Sequence, residues 1–169
     1  KVYLPKDSIV PQTDVIGITS GGSDRRYIWY GTDQKKLVRK EKITGTIISY
    51  DIPAFADDNF IYCLAVDNKY VWLGTRNGIN RYDKSNGTWK VYGISDGLAS
   101  VIVISLGDDG NYLWAGTPAG VSRLDKINGT FDSYNKKTIP QIVENTITAI
   151  GVDGNEIWIG TRGGVSRYS

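Results

Sequence analysis

Histidine is absent from these 169 residues. That removes the usual general base near neutral pH and the commonest metal ligand, and with them the Ser-His-Asp, Cys-His and His-zinc arrangements. The single cysteine, Cys63, has no internal disulfide partner. It lies in the apolar run Ile61-Tyr62-Cys63-Leu64-Ala65-Val66, where a small buried side chain is expected rather than a nucleophile. Methionine is missing too, position 1 included, as expected of a processed chain or an excerpt of a longer one. No apolar run approaches the roughly 20 residues that span a bilayer. Twenty basic residues stand against eighteen acidic ones, with no long basic stretch. Neither membrane insertion nor nucleic-acid binding is expected.

What the chain has instead is repetition. Trp29-Tyr30-Gly31-Thr32, Trp72-Leu73-Gly74-Thr75, Trp114-Ala115-Gly116-Thr117 and Trp158-Ile159-Gly160-Thr161 are four copies of one phrase. Their tryptophans, at positions 29, 72, 114 and 158, are spaced 43, 42 and 44 residues apart. A fixed period of that length signals a repeat architecture.

Each unit reads as four strands. The innermost is a short apolar run: Val15–Ile18, Ile61–Val66, Val103–Leu106 and Ile147–Val152. An aspartate (Asp24, Asp67, Asp109, Asp153) then precedes each tryptophan by five residues, and Asp109-Gly110-Asn111 and Asp153-Gly154-Asn155 carry hairpin-turn chemistry. The second strand holds the tryptophan and is apolar on both faces, as in strands buried between packed sheets. The glycine two residues on leaves room for a neighbour to approach. The third strand reads Ile79-Asn80-Arg81-Tyr82, Val121-Ser122-Arg123-Leu124 and Val165-Ser166-Arg167-Tyr168. The first repeat departs there, with an extra residue and Leu37-Val38-Arg39-Lys40. A further hairpin (Thr44-Gly45-Thr46, Asn86-Gly87-Thr88, Asn128-Gly129-Thr130) leads to a fourth strand ending at Tyr50, Tyr92 and Tyr134. The last repeat has no fourth strand, yet Lys1-Val2-Tyr3 matches Lys90-Val91-Tyr92.

Four antiparallel strands per period describe a β-propeller blade. The expected fold is an all-β, single-domain propeller of four blades (15–50, 61–92, 103–134, and 147–169 with 1–3). The N-terminal strand completes the last blade and leaves no exposed edge. Two chains joined head to tail into eight blades, or membership of a larger ring, are the alternatives; a β-solenoid is the rival fold.

The apolar strand, the Asp-Gly-Asn turn, Trp-x-Gly-Thr and Gly-Val-Ser-Arg-Tyr together resemble the two-component regulator propeller repeat, over essentially the whole chain. Such repeats are common in extracytoplasmic sensor regions of bacterial hybrid histidine kinases and in related secreted or surface proteins. The resemblance implies a propeller that senses or binds outside the cytoplasm, and it carries over no ligand. The repeats are also similar to those of streptogramin-lyase-like propellers, but that activity depends on histidines this chain lacks.

Propeller geometry puts the tidy hairpins on one face. The inter-blade links and the turns after Trp-x-Gly-Thr lie on the other, where variable loops are the place for function. The candidates there are Phe55, Asp57, Asp58, Asp96, Lys136, Lys137, Gln141 and Glu144, with Arg76 and Arg162 from the turns. They suit a polar small molecule, a glycan or a protein surface. No cofactor or metal is called for: Asp57-Asp58 and Asp108-Asp109-Gly110-Asn111 lack the alternating oxygen ligands of a calcium loop. The arginines Arg39, Arg81, Arg123 and Arg167 recur once per blade, which argues for stacking or pairing between blades. Asn86 and Asn128 are also N-glycosylation acceptors. The first expectation is a non-enzymatic extracytoplasmic binding or sensing module. A structural or assembly module comes second, and a lyase or glycan-acting enzyme is a remote third.

Overall fold

The computed structural model describes residues 17–53 and 60–169. The chain forms sheets in sequence order, each an antiparallel meander. The first comprises β1 (Ile18–Ser23), β2 (Tyr27–Thr32), β3 (Lys36–Glu41) and β4 (Ile47–Asp51). The second comprises β5 (Ile61–Val66), β6 (Tyr70–Thr75), β7 (Gly78–Asp83) and β8 (Trp89–Tyr92). The third comprises β9 (Ser105–Asp108), β10 (Tyr112–Thr117), β11 (Gly120–Asp125) and β12 (Phe131–Tyr134). The fourth has three strands among the described residues: β13 (Ile147–Asp153), β14 (Glu156–Thr161) and β15 (Gly164–Tyr168). The innermost strands pack in series, β1 on β5, β5 on β9 and β9 on β13. This is a propeller-like stack of blades. The strand expected from Lys1-Val2-Tyr3 lies outside the described residues.

Two innermost strands differ from expectation. In the first blade the described strand is the polar, glycine-rich Ile18–Ser23, which shares only Ile18 with the expected Val15–Ile18; Val15 and Ile16 lie outside the described residues. In the third it starts at Ser105, because Val103 donates its N–H to Thr75 O of the preceding blade at 2.9 Å. A 3-10 turn at Ile94–Asp96 interrupts the link after the second blade.

Apolar clusters fill the spaces between blades. Trp29 and Leu37 meet Ile61, Val71, Leu73 and Tyr82 of the second blade. Trp72 and Ile79 meet Val103, Leu113, Ala115 and Leu124 of the third. Trp114 and Val121 meet Ile147, Ile157 and Ile159 of the fourth. The motif glycine is the hole in each contact. A Cβ on Gly31 would stand 2.7 Å from Ile61, and one on Gly116 would stand 2.7 Å from Ile147. The neighbour admitted is therefore the β-branched side chain of the next innermost strand, entering where any larger residue would collide.

The motif threonine organises the following turn. Thr75 and Thr117 donate their hydroxyls to Gly78 O and Gly120 O at 3.0 and 2.8 Å, and each hydroxyl also accepts a turn N–H. Gly78 and Gly120 have φ of +97° and +135° and face the carbonyls of Tyr92 and Tyr134, leaving no space for a side chain. In the first repeat, which lacks that glycine, Lys35 takes the left-handed conformation at φ 63°. This departure from the repeat is therefore a strained residue.

Candidate functional site

On the hairpin face the recurring aspartate does more than turn the chain. The carboxylate of Asp24 accepts the N–H groups of Arg26 and Tyr27 (3.0 and 2.8 Å) and the Trp29 indole N–H (3.0 Å). Asp67 does the same for Lys69, Tyr70 and Trp72, and Asp109 for Asn111, Tyr112 and Trp114. One aspartate thus fixes both a hairpin and a core indole. Lysines then tie blade to blade. Lys84 of the second blade reaches Asp24 Oδ2 at 2.7 Å, and Lys126 of the third reaches Asp67 Oδ2 at 3.2 Å. Burial acts to raise the Asp24 carboxyl, but Lys84, the two backbone N–H groups and the indole outweigh it and hold it down at about 2. Asp108, one of the acid pair beside the third hairpin, is bound to Lys126 at 2.7 Å.

The strand arginines stack within their own blades, not between blades as expected. Arg39 lies over Tyr27, Trp29 and Tyr50, and Arg81 over Tyr70, Trp72 and Tyr92. Each arginine faces its tryptophan across the β2–β3 or β6–β7 pairing, so strand register alone brings cation and rings together. Cys63 is packed against the Val103 carbonyl at 3.8 Å, and burial pushes its thiol up to about 12. It stays a thiol, unsuited to nucleophilic work.

The loop face is irregular. In the first, second and fourth blades the register of the innermost strand shifts at Ile18/Ser20, Ile61/Cys63 and Ile147/Ala149. The extra residue is Thr19, Tyr62 or Thr148, and such bulges re-aim a side chain. In the second blade the bulged Tyr62 accepts a hydrogen bond from Arg76 Nε at 2.6 Å, and its ring lies 5.0 Å from that of Phe60. Phe60 is 42 % exposed, and Val101 and Ile102 emerge beside the Arg76 turn, where Val101 O accepts the N–H of Gly78 at 2.6 Å. Two aromatic rings and a guanidinium thus share one patch. It can stack on a flat apolar surface and hydrogen-bond at its edge.

Of the residues singled out from sequence, Arg76 belongs to this patch. Phe55, Asp57 and Asp58 lie outside the described residues. Asp96 is exposed and its carboxylate accepts Gly93 N–H at 2.8 Å, closing the 3-10 turn. Lys136 and Lys137 are exposed on a turn held by Asn135 and Asn145. Glu144 is half-buried beside Gly163, next to the exposed Arg162. Gln141 accepts the Ser166 hydroxyl at 2.6 Å through its backbone carbonyl. It lines a cavity of about 330 Å³ with Trp114, Tyr134, Ile159 and Tyr168, along the edge of β15. The candidates are therefore dispersed. Phe60 and Tyr62 were missed because the bulge that brings them together leaves no mark in the residue pattern. On the hairpin face, Asn86 accepts both the Thr88 N–H and its hydroxyl, whereas Asn128 donates its side-chain amide to Asp125 at 2.9 Å.

No family model and no curated protein matches the chain. Solved structures do resemble it. The extracellular domain of the putative hybrid two component system BT3049 from B. thetaiotaomicron matches with a TM-score of 0.72 at 22% identity, over 90% of this chain and 23% of that one. The extracellular domain of the putative one component system BT4673 from the same organism gives 0.61 at 19% identity, over 94% and 28%. The computationally designed Ika4 protein gives 0.68 at 14% identity, over 90% of both chains. The chain thus spans about a quarter of the length of the two bacterial extracellular domains. At these identities the likeness is one of fold. Among the described residues no helix is long and apolar enough to cross a membrane.

Proposed function

We propose that this chain is a non-enzymatic, extracytoplasmic binding or sensing module built on a β-propeller. The reading rests on the Phe60–Tyr62–Arg76 patch, an exposed aromatic and cationic surface created by a bulge on an otherwise repetitive scaffold. Its resemblance to extracellular domains of putative one- and two-component systems supports a sensory role outside the cytoplasm. The ligand class that fits such a patch is a polar small molecule, a glycan or a protein surface offering a flat face to the rings.

The test is binding of the intact chain to an array of soluble neutral and acidic oligosaccharides and peptides. Any ligand found is then measured against Tyr62→Ala and Tyr62→Phe. Loss of about tenfold or more in affinity for Tyr62→Ala, with partial retention in Tyr62→Phe, is expected. Unchanged affinity in Tyr62→Ala would remove the patch from the site, and turnover of the bound ligand would overturn the non-enzymatic reading.

The ring itself has two readings. In one, Lys1-Val2-Tyr3 pairs with β15 and closes four blades within one chain. The other, a structural or assembly role in which the blades form an arc of a larger ring, is favoured by one observation. Trp158 is 40 % exposed, while Trp29, Trp72 and Trp114 are 0–2 % exposed beneath a following blade.

A further inference from the structure

The outward side of the fourth blade lacks two things that every other blade receives from its successor, and a third that the first two blades receive. First, Ile61, Val103 and Ile147 enter over Gly31, Gly74 and Gly116 of the blade before, but the three atoms nearest a Cβ on Gly160 all belong to Ala149 of its own sheet. Second, Trp158 stays exposed, and so does Val165, at 65 % against 0 % for Leu37, Ile79 and Val121 at the same place in the other blades. Third, Asp24 and Asp67 each hold a lysine of the next blade, whereas among the described residues Asp153, like Asp109, holds none.

The first blade carries the complements. Ile18 occupies the position of Ile61, Val103 and Ile147 and is 59 % exposed. Lys42 occupies the position of Lys84 and Lys126. Like Lys84, it donates to the aspartate carbonyl of its own blade, Asp24 O at 2.6 Å. Unlike Lys84 and Lys126, it reaches no carboxylate of another blade among the described residues. Within the chain, β1 packs on β5 and is not packed on β13 in the way that β9 is.

We propose that the fourth blade docks the first blade of a second copy of this chain, with Ile18 seated over Gly160 beside Trp158 and Lys42 paired with Asp153. The occupant is a second copy because knob and hole, and cation and carboxylate, are matched pairs at opposite ends of one arc. The contact continues an interface already built between successive blades. It is head to tail, and two copies satisfy both ends of both chains, giving a closed pair of eight blades. The proposal rests on the arc reading above and is independent of the sensing one.

Sedimentation equilibrium of the intact chain measures the mass, with hydroxyl-radical footprinting of Trp158 alongside. A species of twice the chain mass is expected, with Trp158 protected in the pair and reactive on dilution. Asp153→Lys should weaken the pair by about tenfold or more, and Asp153→Lys with Lys42→Asp in the same chain should restore it. Urea unfolding midpoints of the variants report folding separately. A monomer with Trp158 protected means closure within one chain and overturns the proposal. So does a monomer with Trp158 reactive, an open-ended polymer, or a pair indifferent to both charge changes. Ligand binding at the Tyr62 patch is measured separately, so either idea can fail alone.

Discussion

The interface between the second and third blades and the outward face of the fourth are written in nearly the same residues, and they behave oppositely. Trp72 is fully buried, bonded through its indole to Asp67 at 3.0 Å and covered by Leu113 and Ala115. Trp158, in the same phrase, is 40 % exposed, and its indole makes no bond to Asp153 among the described residues. Neither the tryptophan nor the aspartate is the interface. It exists only when a following blade supplies a β-branched side chain and an apolar sheet face together.

The contrast is sharpest on deleting the ring. Trp72→Ala should cost about 3–5 kcal/mol in urea denaturation, and Trp158→Ala less than about 1 kcal/mol at a dilution where the chain is single. Equal losses would show that the fourth tryptophan is buried after all. Next come the holes. Gly116→Ala places a methyl 2.7 Å from Ile147 and should cost about 1–3 kcal/mol. Gly160→Ala meets Ala149 at 3.3 Å and should cost less than half of that.

The lysine tie gives a smaller effect that depends on pH. Asp24 is held at about 2 in the fold against an ordinary 3.8. A depressed carboxyl pKa contributes stability that is present above about pH 4 and lost as pH falls towards 2. Screening by solvent reduces the contribution to about 1 kcal/mol. Lys84→Ala should therefore lower stability at pH 7 by no more than about 1 kcal/mol and partly flatten its fall between pH 4 and 2. An unchanged acid limb would show that the tie is not formed in solution. Smallest of all, Lys35→Gly should relieve the left-handed residue at φ 63° and stabilise the chain by about 0.5–1 kcal/mol. Destabilisation would show that the Lys35 side chain is worth more than its strain.

The blade was legible because its causes are local. Gly78 and Gly120 turn the chain, Thr75 and Thr117 bond three residues ahead, and Asp67 caps the tryptophan five residues on. All of these act within one period and repeat with it. The site was far less legible. Arg76 was found because it sits on a turn, but Tyr62 is fourteen residues away and meets it only through a bulge. Gln141 was picked as an exposed amide, yet its observed contact uses its backbone carbonyl.

By itself the sequence determined the period, the strands and the turn residues, while its four identical tryptophan phrases carried the same expectation of burial, which Trp158 does not meet. Alternating polarity and glycine placement act on the chain within a few residues. Only the tertiary structure decided which blade each side chain serves. Lys84 finds Asp24 across 60 residues, Ile147 finds the gap over Gly116, and Arg81 turns to its own rings. No local rule sets these choices, because they depend on how one twisted sheet lies against the next, and in the fourth blade on a neighbour that the described residues of the chain do not supply.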